Sequence, residues 1–162
     1  MTVLLLHPRG VHSFHGKNLR KGRSSKRKQI YLVTTVTKGR AACFAELALG
    51  RIVVNSLRWC DDNGLAETWC FVVMPDHLHW LLGLRGSASL SELVGNVKRF
   101  TSSQIGKRRG RSAGVWQAGF HDHAIRHEES LREVARYVVL NPVRAGLVRT
   151  VRHYPLWDAK WL

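Results

Sequence analysis

The chain has 162 residues, 44% of them apolar, and carries 26 Lys and Arg against 11 Asp and Glu, for a formal net charge of +15. That length fits one domain with a core of its own, and that charge calls for an acidic partner, either nucleic acid or an anionic membrane surface. The membrane is disfavoured: no stretch approaches the roughly twenty apolar residues of a spanning helix, and the apolar run in "MTVLLLHPRG" has no leading positive charge and is too short for the core of a secretory leader.

Residues 1–28 hold Arg9, Lys17, Arg20, Lys21, Arg23, Lys26, Arg27 and Lys28 with no acid among them. They are expected to form a flexible basic arm that contacts phosphates, rather than a solvated tail that only aids solubility, and 29–162 to form a single domain. "QIYLVTTVT" (29–37) is β-branched and aromatic, which predicts a strand. Apolar residues recur at helical spacing over 43–64, with Asn63-Gly64 as the stop. "LAETWCFVVM" (65–74) and "HLHWLLGL" (77–84) read as strands of a hairpin turning at Pro75-Asp76. Ser89 and Glu92 have capping-box spacing at the head of a helix over 89–110, which ends in a cluster of basic residues. A fourth strand is expected over 115–127, and a last helix over 128–141 with Leu131, Val134, Ala135 and Val138 on its buried stripe. The order β-α-β-β-α-β plus one helix predicts an α+β, ferredoxin-like antiparallel sheet with helices on one face and a further C-terminal helix.

His77 and His79 interrupt the apolar run "VVMPDHLHWLL". On a strand they project to the same side, about 7 Å apart, while Leu78 and Trp80 face the other way. Two imidazoles on one rigid face suit a divalent metal, although each could instead be an ordinary strand residue. A Cys₂His₂ zinc site with Cys60 and Cys70 is disfavoured, since neither cysteine has a close partner of the C-x₂₋₄-C kind. The three cysteines, with no disulfide spacing, suit a reducing cytoplasm. "HDH" at 121–123 is a second same-face pair, suited to a solvent edge, DNA contact or support of the first pair.

Tyr137 lies about 100° from the centre of its helix's apolar stripe, on an edge shared with Ser130, Glu133 and Asn141. It is either a rim residue of the core or an exposed functional group. Asn141 precedes Pro142 and can cap a short helix, "PVRAG", that Gly146 terminates.

"MPDHLHWLL", "VWQAGFHDHAIR" and "ARYVVLNPVRAGLV", in this order and at these intervals, resemble the REP-associated tyrosine transposases of the HUH single-tyrosine transposase superfamily. The similarity runs from about Leu19 to Asp158. It implies that His77 and His79 bind Mg²⁺ or Mn²⁺, that Asn141 completes the metal shell, and that Tyr137 attacks a single-stranded DNA phosphodiester. The implied product is a 5′-phosphotyrosine beside a free 3′-OH, which can rejoin strands without ATP. The implied substrate is palindromic, REP-like hairpin DNA, and the implied place of action is the cytoplasm, at the nucleoid.

Candidate DNA contacts are Arg20 and Arg23 in the arm; Lys98, Arg99, Lys107, Arg108, Arg109 and Arg111 in a second basic patch; and His123, Arg126 and Arg144. Trp116, Phe120 and Trp157 could stack unpaired bases, although buried packing is the expected role of at least one of them. Two other functions fit the residues: the transposase of a mobile insertion sequence, and a hairpin-binding protein without cleavage. Oligomeric state is not legible at this level.

Overall fold

The structure, a computed structural model, describes residues 29–111, 114–126 and 130–161. The basic arm 1–28, with Arg20 and Arg23, lies outside the described residues. In β1 (Ile30–Val36) burial alternates strictly along the strand, as period-2 geometry requires of β-branched and aromatic residues facing a core. A short 3₁₀ turn, Cys43–Ala45, leads into α1 (Leu47–Asp62). β2 (Ala66–Met74) and β3 (His77–Leu84) form the expected hairpin about Pro75-Asp76.

α2 (Leu90–Arg109) starts on the capping box: the Glu92 amide donates to Ser89 Oγ at 3.2 Å, and the Ser89 amide to Glu92 Oε2 at 2.7 Å. It stops at Gly110, whose φ of 64° is the left-handed cap that glycine adopts without a steric penalty. The chain continues through β4 (His121–Ala124), α3 (Leu131–Val139), α4 (Asn141–Arg144) and β5 (Trp157–Ala159).

The five strands lie in the order β4-β1-β3-β2-β5, every neighbouring pair antiparallel. The first four carry the ferredoxin-like connectivity that the element order predicts, and β5 extends the sheet beside β2. α1 and α2 bury one face with Val33, Phe71, Trp80 and Leu82. α3 covers the opposite face, where Cys70, Val72, Leu81, Ala135 and Val138 pack together. The His77 and His79 side chains belong to that second face, because their cross-strand neighbours on β2 are Met74 and Val72.

The strand expected over 115–127 is shorter than its sequence suggests. Between the pairs Thr37–Trp116 and Thr34–His121, β1 advances three residues while the facing segment uses five. The surplus forms a bulge at 118–120, where Gly119 takes a φ of 73°. The Lys98 ammonium closes it, donating to the carbonyls of Gln117 at 2.6 Å and Gly119 at 2.5 Å. Among the described residues no helix is long and apolar enough to cross a membrane.

Candidate active site

β3 is the middle strand, so His77 and His79 sit on the most constrained part of the sheet. Leu78 and Trp80, each 1% exposed, anchor the strand from the other face. The two imidazoles turn toward one another, with centroids 4.8 Å apart and planes at 82°. Each has a partner at Nδ1. His77 Nδ1 lies 2.6 Å from Asp76 Oδ1, and His79 Nδ1 lies 2.8 Å from the Thr34 hydroxyl across the β1–β3 ladder. When Nδ1–H donates to such a partner, the lone pair is fixed on Nε2, the tautomer that a metal-binding histidine needs.

A second layer holds Asp76. Arg40 Nη1 donates to its Oδ2 at 3.0 Å. Burial alone would raise the Asp76 carboxyl, but the hydrogen bond and charge of His77, with those of Arg40, hold it below the usual carboxylate range. Arg40 accepts a left-handed φ of 52° to stand there, unfavourable for a residue with a Cβ. His79 is pushed down to about 3, first by burial, then by the charges of His77 and Arg144, with Asp76 opposing. It is therefore neutral across the physiological range. Among the described residues no three His, Cys, Asp or Glu side chains gather into a metal-holding group. A cation on the two imidazoles would fill its remaining positions with amide, phosphate or water oxygens, a donor set that suits Mg²⁺ or Mn²⁺ better than a closed structural zinc.

The chain has three tyrosines, and their settings differ. Tyr31 is buried in the core under α1 and α2. Tyr154 donates its hydroxyl to the Val73 carbonyl at 2.6 Å, and burial pushes its pKa up to about 12. Tyr137, on α3 over the histidine face, is 44% exposed. The guanidinium of Arg144 lies over its ring, 3.7 Å from the centroid, and the charge of the same arginine reaches His79. Asn141 is one turn beyond Tyr137; its amide nitrogen donates to the carbonyls of Val138 at 3.1 Å and Tyr137 at 3.4 Å. It closes the end of α3 from inside α4 instead of capping α4, whose N-cap is Leu140. Gly146, with φ 71°, ends that segment as expected.

The other candidates divide. Lys107, Arg108, Arg109 and Arg111 are exposed at the C-terminal end of α2. Arg109 and Arg111 line a cavity of about 170 Å³ with Lys38 and Cys43. Lys38 lies two residues beyond Val36, the β1 partner of His77, so this patch stands at the histidine end of the sheet. Arg108 and Arg109 share Glu46 at 3.9 and 3.7 Å. Arg99 bonds Asn96, Lys98 is engaged by the bulge, and His123 and Arg126 are exposed along and after edge strand β4. Trp116 is not a stacking platform. It is 8% exposed, its indole N–H donates to Thr101 Oγ1 at 2.8 Å, and its ring packs 5.0 Å from that of Phe44. Cys60 and Cys70 belong to cores on opposite faces of the sheet, and burial raises their thiols to about 11 and about 12, so they share no metal.

Thr34, Asp76 and Arg40 were not among the residues expected from the sequence. Asp76 was legible only as a turn residue, and its place immediately before His77 was the one available signal; Thr34 becomes visible only once the β1–β3 register is known.

Relatives agree with this architecture. A REP-associated tyrosine transposase of Escherichia coli (strain K12) is 30% identical over 90 residues, which cover 55% of this chain and 52% of that protein. A Haemophilus influenzae protein, provisionally given the same description, is 28% identical over 99 residues, covering 55% and 56%. The chain thus spans about half the length of these curated relatives. In fold it is similar to the structure of a REP-associated tyrosine transposase bound to a REP hairpin, with a TM-score of 0.66 at 23% identity over 83% of this chain and 79% of that one. Residues 25–141 match the family described as "Transposase IS200 like", a span that includes both histidines, the tyrosine and Asn141. The chain belongs to the IS200-like transposase family.

Proposed function

We propose that this protein is a metal-dependent single-stranded DNA endonuclease and strand transferase that uses Tyr137 as nucleophile and acts on hairpin DNA of the REP type. The observation that carries the reading is the pairing of two Nδ1-anchored imidazoles with an exposed tyrosine on the helix that covers the same face of the sheet. Membership of the family and the likeness to a hairpin-bound relative support it.

His77 and His79 would hold Mg²⁺ or Mn²⁺ through Nε2, with the amide oxygen of Asn141 as third ligand. Bound there, the ion supplies positive charge against a non-bridging phosphate oxygen. The Tyr137 oxygen loses its proton to solvent base and bonds to phosphorus; the P–O3′ bond breaks, and its electron pair leaves on the 3′ oxygen, which takes a proton from water. Neighbouring positive charge stabilises the negative charge that the Tyr137 oxygen carries as it attacks. The phosphotyrosyl bond conserves the energy of the diester, so attack by a 3′-OH reverses the step. Exposed Lys107, Arg108, Arg109 and Arg111 supply charge for the DNA backbone.

The test is incubation of end-labelled hairpin DNA carrying single-stranded flanks with the wild type and Tyr137→Phe, with and without Mn²⁺. A covalent protein–DNA species formed only by the wild type with metal is expected. Equal cleavage by Tyr137→Phe would refute the nucleophile, and binding without cleavage by the wild type would make the protein a hairpin-binding module.

A further inference from the structure

Resting on that reading, we propose that Arg144 is a second catalytic residue, whose guanidinium grips the scissile phosphate between Tyr137 and the histidine pair. The side chain is exposed, and its guanidinium carbon stands 3.7 Å from the centre of the Tyr137 ring. Two turns of chain separate the residues, and the start of α4 directly after α3 brings the later one back over the earlier. Arg40, Arg85, Arg108 and Arg109 each have a carboxylate partner. Among the described residues no carboxylate pairs with Arg144. Among those residues its charge is therefore unneutralised, on the short helix that directly follows α3 over the histidine face of the sheet.

A cation resting on an exposed aromatic face is held weakly. A phosphodiester offers the same guanidinium two parallel charge-assisted hydrogen bonds, which are stronger. A phosphate bound between the Tyr137 oxygen and the histidine pair would meet this fork from the ring on which it rests. On DNA entry the guanidinium exchanges the ring for the non-bridging oxygens. It then holds charge that grows in the transition state, and the vacated ring is free to turn its oxygen in line. Parked on the ring, the arginine also keeps the nucleophile in one orientation while DNA is absent.

The experiment compares wild type, Arg144→Gln, Arg144→Lys and Arg144→Ala in single-turnover adduct formation with Mn²⁺, at DNA concentrations saturating for each, and measures hairpin Kd separately. Arg144→Gln should slow adduct formation about 10²–10³-fold, the usual loss for one transition-state donor, with Kd changed less than about threefold, as expected when one phosphate contact among several is lost. Arg144→Lys should recover part of the rate. Added guanidinium should accelerate Arg144→Ala, whereas sodium at equal ionic strength should not. Arg144→Gln cleavage within threefold of wild type, or a defect that vanishes at saturating DNA, would overturn the proposal while leaving Tyr137 as nucleophile. Absence of any adduct from the wild type would overturn both.

Discussion

Thr34→Val isolates a single atom of the site. Valine keeps the shape and the β-branching, and the β1–β3 and β1–β4 ladders are made by backbone atoms that the change leaves alone. What disappears is the hydroxyl 2.8 Å from His79 Nδ1. The imidazole is buried enough that burial leads the causes of its depressed pKa, so a stranded ring N–H is costly there, about 1–3 kcal/mol. The ring can escape that cost by rotating or by moving its proton to Nε2, and either move spoils the ligand nitrogen. Loss of an orienting partner of this kind weakens metal binding about 10–100-fold, or about 1.4–2.8 kcal/mol, which agrees with the hydrogen-bond figure. Mn²⁺ titrated calorimetrically into folded wild type and Thr34→Val should show that loss, with hairpin binding in the absence of metal unchanged. An Mn²⁺ affinity within twofold of wild type would refute the claim that the β1 hydroxyl sets the His79 tautomer.

Asp76→Asn should weaken Mn²⁺ binding by a similar factor through His77, and Arg40→Gln by less, because Arg40 acts through the carboxylate; an Arg40 effect exceeding that of Asp76 would contradict this order. An unfolded histidine protonates near 6.5, whereas His79 stays neutral down to about 3. The unfolded chain therefore binds the extra proton between those values, and stability falls as pH is lowered through that window, by at most about 1.4 kcal/mol per unit. His79→Gln should remove that component from a urea-denaturation series, and an unchanged pH slope would count against the burial of His79. Trp116→Ala should cost about 3–5 kcal/mol of stability, the range for a large buried aromatic; an intact melting curve with lost DNA affinity would restore the stacking role. Replacing Arg108 and Arg111 with Gln should reduce the slope of log K against log salt by about 1.4, near 0.7 per single-strand phosphate, and an unchanged slope would remove both from the DNA path.

Local signals were legible in the sequence, and distant ones were not. The Ser89–Glu92 capping box, the bounds of β3 and the place of β1 depend on neighbouring residues, and each appears where its pattern puts it. The same-face histidines follow from strand periodicity alone, and the exposure of Tyr137 follows from its angle to the apolar stripe. By contrast, the Thr34–His79 bond needs the register between residues 45 apart, which no local pattern encodes. The strand over 115–127 misleads because its β-rich composition hides a two-residue register slip, opened at Gly119 and closed by Lys98 from another element. Trp116 misleads for a related reason: nothing local to it shows that α2 supplies Thr101 as a partner for its N–H.

Peptide mapping reads directly whether Tyr137 itself carries the DNA. Trypsin cutting after Arg136 and Arg144 releases the peptide Tyr137–Arg144, which contains no other tyrosine. After reaction with hairpin DNA and Mn²⁺, nuclease trimming and fragmentation by mass spectrometry, a nucleotide joined through its 5′-phosphate to Tyr137 is expected. An adduct on any other residue, or DNA cleaved to a free 5′-phosphate with this peptide unmodified throughout, would contradict it.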